Sequence, residues 1–411
     1  MGHVLWIVNH YAGLPSEPGG TRHYWLGRGL QRLGWDVRII RSGAVPSRRP
    51  WEPHTEVVDG VEVTTISGPP TSVRGLTRVR SWAEFSGWAL APSVTKHLPR
   101  PDLVLGSAVH LGAAWAARTL ARRHGVPFVF EVRDLWPETL IAMGALNRGS
   151  LLARTMLKVE GTLARSSSLI VSPLPGVGEY MAERHGIPKS RFVWVSNGVQ
   201  LSERLIEPPS DEGRLRLQYF GAVGPANCVG DIIGAVRQAD GRQKDVCELQ
   251  IIGRGPERDR LMGLVAADPR LAELVAFPAP VASQRLPELM RWGNSVILQV
   301  PDRTALYRYG ISPNKLFDYL ASRRWIVMGA HVRENPAAEA PGAMICGPTV
   351  DSLADAILQS AQLDPRERLR LANKNFELVR EKYDYPVLAQ KLDVSLQRSL
   401  TAPDPTIRRH L

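Results

Sequence analysis

Short apolar runs of strand length alternate with longer amphipathic segments along most of this chain, in two consecutive series. The first series opens with HVLWIVN (His3–Asn9), crosses a Gly/Pro loop at Leu14–Gly20 and enters a helical segment over Thr21–Leu33. A turn at Gly34 and a second run at Trp35–Ile40 complete a strand–loop–helix–strand unit, the order of a βαβ motif. PDLVLGSA, a helix over Leu111–His124, VPFVFEV, SLIVS (168–172) and RFVWVSN (191–197) follow. These runs are apolar without strict alternation, so the spacing predicts strands buried on both faces, in a parallel sheet covered by helices.

After Asn197-Gly198 the composition changes. Ser202–Gly213 is polar, holds Pro208-Pro209 and reads as a linker. A second series then runs through LRLQYFG, a helix at Val229–Ala239, ELQIIGRG, a helix at Glu257–Ala267, LVAFPA, a helix at Leu286–Trp292, SVILQV, a helix at Asn314–Ser322 and WIVMGA. The 411 residues suit two domains, each of roughly 200 residues. The expectation is an α/β chain of two doubly wound units, residues 1–200 and 201–384, with frayed last residues, Thr401–Leu411.

Composition narrows the setting. Cys228, Cys247 and Cys346 are too few and too scattered for a disulfide framework or a zinc site, which predicts packed thiols in a reducing compartment. The start lacks a basic leader, and no stretch reaches the apolar length of a spanning helix. A cytoplasmic protein, at most peripheral to the inner membrane face, is expected. Residues 1–200 carry 23 Lys+Arg against 14 Asp+Glu, and residues 201–411 carry 28 against 26. A basic first half suits phosphates, an anionic bilayer or nucleic acid, and equally a merely solubilising surface. No nucleic-acid reader motif or run of stacking aromatics accompanies it.

Candidate chemistry sits where strands end. Pro18-Gly19-Gly20-Thr21 lies between the first strand and first helix, where glycine lets backbone N–H groups approach an anion. A plain strand–helix turn needs glycine too. Tyr219–Gly224 repeats this logic in the second series. In GISPNKLFDYL (Gly310–Leu320), Ser312 is expected as N-cap and Pro313 in the first turn. Lys315 then opposes the helix dipole, a placement that a bound phosphate would explain. Asp318 shares its face, as suits a ribose diol or a local Lys–Asp pair. EVRDLWPE (Glu131–Glu138) gathers carboxylates, Arg133 and Trp136 at a strand's carboxyl edge. That combination fits a sugar ring, or a salt-bridged loop entering a helix. His110 follows another strand end, as a ligand contact or a satisfied structural histidine. No two aspartates are separated by one residue, so no metal is expected on a diphosphate; Lys315 and helix N-termini would stabilise the leaving charge instead.

Together these residues resemble the retaining GT-B glycosyltransferases of glycosyltransferase family 4, which includes sucrose synthase and mannosyltransferases. The likeness is nearest to bacterial O-antigen and capsule members of the fucosamine-transferase type. It runs through Gly19-Gly20, EVRDLWPE, Ser196–Val199, Tyr219–Gly224, GRGPE (253–257) and SPNKLFDYL (312–320). The resemblance implies two facing Rossmann-like domains with an interdomain cleft and a final helix, about 385–400, packed back on the first domain. It implies a nucleotide-sugar donor, UDP-linked, held by Gly19, Gly20, Gly221, Ala222, Gly224, Arg254, Pro280, Asn314, Lys315, Leu316 and Asp318. The Pro278–Val281 segment, with Pro280, would lie near the base, Lys315 on the diphosphate and Asp318 on the ribose. His110 would reach the donor sugar. Glu131, Arg133, Asp134, Trp136 and Glu138 would border the acceptor, with His110, Lys315 and Asp134 the catalytic set. No cofactor is implied beyond the donor substrate.

Three positions depart from the family pattern. Of its two glutamates with seven residues between them, the first is Gly310 here and the second Asp318. Asn227-Cys228-Val229-Gly230 replaces the usual Arg and Lys-Gly, and Gln200 the Asp after Asn-Gly-Val. The expected reaction moves a hexosyl or N-acetylhexosaminyl group to a glycan, a polyprenyl-diphosphate-linked acceptor or a small molecule. The alternatives are a nucleotide-sugar epimerase on the same fold and a basic nucleic-acid-binding protein.

Overall fold

The computed structural model describes residues 2–17, 20–45, 49, 51–69, 75–203, 207–209, 214–280, 285–302, 307–332 and 334–401. Gly19, most of the linker 202–213, Val281 and the tail after Thr401 lie outside them. The chain forms two compact units, one of Met1–Ser196 with Tyr385–Leu411, the other of Asn197–Asp384. The division thus falls at 196/197, and the final helix counts with the first unit.

The first unit is built on an eight-stranded sheet. Its strands are β1 (Val4–Val8), β2 (Asp36–Gly43), β3 (His54–Val58), β4 (Val61–Ser67), β5 (Leu103–Ala108), β6 (Phe128–Val132), β7 (Leu169–Ser172) and β8 (Phe192–Trp194). They run in the order β3-β4-β2-β1-β5-β6-β7-β8. All pairings are parallel except β3 with β4. β5 and β6 are buried at every position, because helices cover both faces. The sequence reading missed the hairpin β3–β4. Its signal was Asp59-Gly60, whose φ angles of 47° and 90° suit a tight two-residue turn.

The final helix, Tyr385–Thr401, buries Tyr385, Leu388, Ala389, Leu392 and Leu396 in the core that holds Leu26 and Leu30 of the helix Arg22–Arg32. Gly29 sits at this crossing, where a Cβ would lie 2.4 Å from the Ala389 Cβ.

The second unit is a six-stranded, wholly parallel sheet. Its strands are β9 (Leu215–Phe220), β10 (Cys247–Ile252), β11 (Val275–Ala276), β12 (Ser295–Gln299), β13 (Trp325–Gly329) and β14 (Ala343–Cys346). The order β11-β10-β9-β12-β13-β14 is that of a dinucleotide-binding domain. Strand β14 escaped the sequence reading, since AMIC is only half-buried at the sheet edge. Among the described residues no helix is long and apolar enough to cross a membrane.

Candidate functional site

In open α/β sheets, ligands bind beyond the carboxyl ends of the strands where the strand order reverses. In the second unit that point is the end of β9, between β10 and β12. Strand β12 pairs with β9 only through Ser295↔Leu217 and Val296↔Gln218, whereas β10 stays paired as far as Phe220. The sheet therefore opens beside Phe220. Tyr319 fills the opening: its hydroxyl accepts from the Phe220 N–H at 2.7 Å and donates to the Phe220 carbonyl at 3.2 Å. The sequence reading did not single out Tyr319.

The loop after β9 leans on the end of β10. Gly221 N–H donates to the Ile252 carbonyl at 3.0 Å and Val223 N–H to the Arg254 carbonyl at 2.8 Å. Gly221 has φ +141°, and a Cβ there would stand 3.1 Å from Lys315 Nζ. Only glycine suits that backbone and that approach. Ala222 is exposed, Gly224 is buried and Pro280 is half-buried. Arg254 is exposed, with no side-chain partner among the described residues. Arg258 braces the region, donating to the Gly253, Phe277 and Pro278 carbonyls at 3.0–3.1 Å.

The helix Asn314–Ala321 starts at the expected residue, but Ser312 does not cap it. Pro313 is its N-cap, and no side chain caps the helix. Ser312 instead serves Asn197, accepting its N–H at 3.2 Å, while Asn197 Nδ2 donates to the Ser312 carbonyl at 2.6 Å. The reason is that Asn197 competes for the seryl oxygen and carbonyl, a tertiary contact that local N-cap preference does not anticipate. The helix start is left open, with Asn314 exposed, Leu316 buried and Asp318 half-buried. Such a terminus presents unsatisfied N–H groups to an anion.

Lys315 is half-buried in the first turn. Its ammonium donates to Tyr219 Oη at 2.6 Å and to Asn227 Oδ1 at 2.7 Å, and lies 4.5 Å from the Tyr219 ring centroid. Tyr219 Oη in turn donates to the Ala222 carbonyl at 2.7 Å. Among the described residues no carboxylate lies within ion-pair distance of this ammonium. Burial pushes its pKa down to about 8. Asn227, noted above only as a departure, is a direct partner of the lysine.

In the first unit the order reverses between β1 and β5. His10 follows β1 and His110 follows β5 as N-cap of the helix Leu111–His124. His110 Nδ1 accepts from the Ala113 N–H at 3.3 Å, so Nε2 carries the proton and donates to His10 Nδ1 at 3.0 Å. His10 Nε2–H then donates to Ser81 Oγ at 3.3 Å. Both rings are buried. Burial lowers His10 to about 4, and burial with the His10 neighbour lowers His110 to about 3. The pair is neutral at pH 7.

The block Glu131–Glu138 divides. Glu131 is fully buried; Oε1 accepts from Arg22 Nε at 2.9 Å and Oε2 meets His23 Nε2 at 2.5 Å. Burial would raise its pKa, but His23 and Arg22 outweigh that and hold the carboxyl well below the ordinary range. Neither oxygen turns to a surface that an acceptor could reach. Glu138 is tied to Arg148 at 2.6 Å and Arg184 at 2.7 Å. Arg133 is half-buried and Asp134 exposed, while Trp136 is buried with its indole N–H lacking an acceptor. Gly20 is half-buried at the entry to the first helix. Among the described residues no cluster of three His, Cys, Asp or Glu could hold a metal.

Residues 19–198 match the family described as the glycosyl transferase 4-like domain. A probable glycosyltransferase, WbjE of Pseudomonas aeruginosa, is 23% identical over 310 residues, covering 66% of this chain and 74% of that protein. Sucrose-phosphate synthase of Thermosynechococcus elongatus has a similar structure, with TM-score 0.72 and 15% identity over 98% of this chain and 100% of that one. HepE of Anabaena in complex with UDP gives TM-score 0.64 at 13% identity, over 97% of this chain and 100% of that one. A UDP-forming trehalose-phosphate synthase of Burkholderia xenovorans gives 0.71 at 14% identity, over 98% and 100%. The architecture is the two-domain GT-B fold. With the domain match in the first unit, fold and sequence support a glycosyltransferase.

Proposed function

We propose that this glycosyltransferase moves a hexosyl or N-acetylhexosaminyl group from a UDP-linked donor to an acceptor hydroxyl, with retention and without a divalent ion. The observation that carries the proposal is Lys315: a half-buried ammonium at an uncapped helix start, held by two neutral oxygens and, among the described residues, by no carboxylate. That arrangement leaves its charge for a diphosphate. Asn314 adds an N–H group of the first turn, above Leu316, whose own N–H already donates to the Pro313 carbonyl at 3.0 Å; Gly221, Ala222 and Gly224 add the close backbone, Arg254 a further cation, Pro280 a wall for the base and Asp318 an acceptor for the ribose diol. The UDP complex of the similarly folded HepE favours uridine.

Arg133, Asp134 and Trp136 supply the acceptor side, with Gly20 near the first helix start. His110 faces the donor sugar with a neutral ring whose Nδ1 and Nε2 are held by Ala113 and His10, so it shapes the site without a free hydrogen bond of its own. In the step proposed, the acceptor oxygen bonds to the anomeric carbon on the face that the phosphate leaves. The carbon–phosphate-oxygen bond breaks, and the acceptor proton passes to the departing phosphate. The chain's own work is positioning and charge stabilisation. The acceptor proposed is a glycan or lipid-linked glycan of a polysaccharide pathway, met at the inner face of the membrane. The named relatives are glycosyltransferases or synthases, not epimerases.

Calorimetric titration with UDP tests the assignment. Lys315→Ala should weaken binding at least tenfold and depress turnover with the fold intact, while EDTA leaves both unchanged in the wild type. Undiminished UDP affinity in Lys315→Ala would overturn the site, and loss of activity in EDTA would overturn metal independence. The anomeric configuration of the product, read by NMR, decides retention.

A further inference from the structure

A groove of about 690 Å³ lies within the first unit, between the helices Leu76–Trp88, Leu111–His124, Glu138–Ala142 and Leu151–Ser166. Val79, Trp82, Trp115, Trp136, Leu152 and Met156 supply most of its wall, and His110 stands at its base. Its few polar side chains are already occupied. Ser86 Oγ donates to the Trp82 carbonyl at 2.6 Å, Thr155 Oγ1 to the Leu151 carbonyl at 2.9 Å, and both His110 nitrogens are bonded. The buried Trp136 indole N–H is left without an acceptor. A sugar or nucleotide needs many directed hydrogen bonds, and this wall offers almost none.

The mouth is apolar as well. Val79, Trp115 and Leu152 are 54%, 39% and 59% exposed, and Leu151 and Met143 beside them 80% and 57%. Contiguous exposed apolar surface of this kind marks an interaction site. Cations border it. On the helix Leu111–His124, Leu111, Trp115, Arg118 and Arg122 follow one stripe, given the spacing of three and four residues. The Arg118 guanidinium lies 5.0 Å from the Trp115 ring centroid, and its Nε donates to the neutral Ser166 Oγ at 2.8 Å. Arg154 and Lys158 are exposed on the solvent flank of the helix that supplies Leu152 and Met156. Among the described residues none of these four cations forms an ion pair. Apolar walls beside cations that have no carboxylate partner complement a chain with an anionic head.

We infer that this groove holds the aliphatic chain of a phosphate-linked lipid acceptor, with Arg118, Arg122 and Lys158 meeting its phosphate. The inference rests on the glycosyl-transfer reading and narrows its acceptor: it is lipid-linked, and its chain lies in the first unit.

Calorimetry on the full chain with decyl phosphate, below its micelle concentration, tests this beside a UDP titration. Decyl phosphate should bind at one site, with decanol and inorganic phosphate at least tenfold weaker. Ala83 is an exposed lining residue, so Ala83→Trp fills the groove without disturbing the core and should weaken decyl phosphate at least tenfold. Leu152→Gln should weaken it severalfold. Arg118→Gln with Arg122→Gln should weaken it severalfold and flatten its salt dependence. UDP affinity should not change in any of these. Vesicles of phosphatidylglycerol should float the wild-type chain, and excess decyl phosphate should release it. Absent binding, binding unchanged in both Ala83→Trp and Leu152→Gln, or flotation that decyl phosphate does not relieve would overturn the inference. So would a groove closed by self-association, seen as a sedimenting dimer that excludes decyl phosphate. Failure to bind UDP with decyl phosphate still bound would strike the donor assignment instead.

Discussion

Lys315 and Gly221 form one device. The glycine has no Cβ, and the space a Cβ would take lies 3.1 Å from the lysine Nζ and 3.2 Å from its Cε. Gly221→Ala adds that atom at a positive φ, where a side chain costs about 1–3 kcal/mol. Urea unfolding should record a loss of that size, and UDP affinity should fall about tenfold as the lysine is displaced. The lysine also sets a pH dependence. Its free pKa of about 8 means that donor binding favours the protonated amine. UDP affinity should therefore decline as pH rises above about 8, with proton uptake in calorimetry above that pH. Affinity constant from pH 7 to 10 would remove Lys315 from the diphosphate.

The buried histidines titrate oppositely. Folding lowers His10 to about 4 and His110 to about 3 from an ordinary 6.5. Between those values and 6.5 the unfolded chain binds more protons, so their contribution to stability is complete above pH 6.5 and lost as pH falls toward 4. His110→Asn keeps a side-chain oxygen for the Ala113 N–H and removes one titrating ring. Its stability should fall less steeply between pH 6.5 and 4, by up to about 1.4 kcal/mol per pH unit. A slope equal to wild type would show that His110 is not held neutral.

Among elements, the helix Asn314–Ala321 shows how a local motif and a tertiary contact divide the work. Its helical character and buried Leu316, Phe317 and Leu320 face follow from sequence spacing. Its open start does not, because Asn197, more than a hundred residues earlier, engages Ser312. Tyr319 belongs to the same class. It satisfies the Phe220 backbone where β9 and β12 part, and Tyr319→Phe would strand those groups at about 1–3 kcal/mol. Thermal unfolding should show the loss, and UDP affinity should weaken with it as the loop after β9 slackens. The helix Tyr385–Thr401 depends on Gly29, and Gly29→Val would force Ala389 away. Overpacking of this kind costs about 1–3 kcal/mol, to be read as a lower melting temperature.

At the scale of the molecule, the first unit is discontinuous. It takes its last core layer from Tyr385, Leu388, Ala389, Leu392 and Leu396, after the chain has completed the second unit. Each large side chain contributes about 1.5–3 kcal/mol by burial, so their sum rivals the whole stability of a typical domain. Residues 1–196 alone should fail to give a cooperative melt, and adding a peptide of residues 385–401 should restore one. Independent folding of the 1–196 fragment would show that the helix is dispensable.

How much was legible follows from what is local. The strands β1, β5, β6, β9, β10, β12 and β13 were plain in the sequence, because burial on both faces demands uninterrupted apolar runs. Lys315 stood out because a lysine in the first helical turn opposes the dipole. Residues that act through distant partners were hidden: Tyr319, Asn227 and Arg258 have ordinary neighbours in sequence and reach their roles only through the packing of separate strand ends. Glu131 shows the converse. Its company of charged residues suggested a surface for sugar, but Arg22 and His23 enclose it. What the sequence by itself determined is the two parallel-sheet units and the glycine and lysine positions at their strand ends, since periodicity and backbone sterics are properties of short segments. Only the tertiary structure decided which polar groups are consumed and which stay open, because a buried charge or N–H is satisfied by whatever the fold brings within about 3 Å, wherever it lies along the chain.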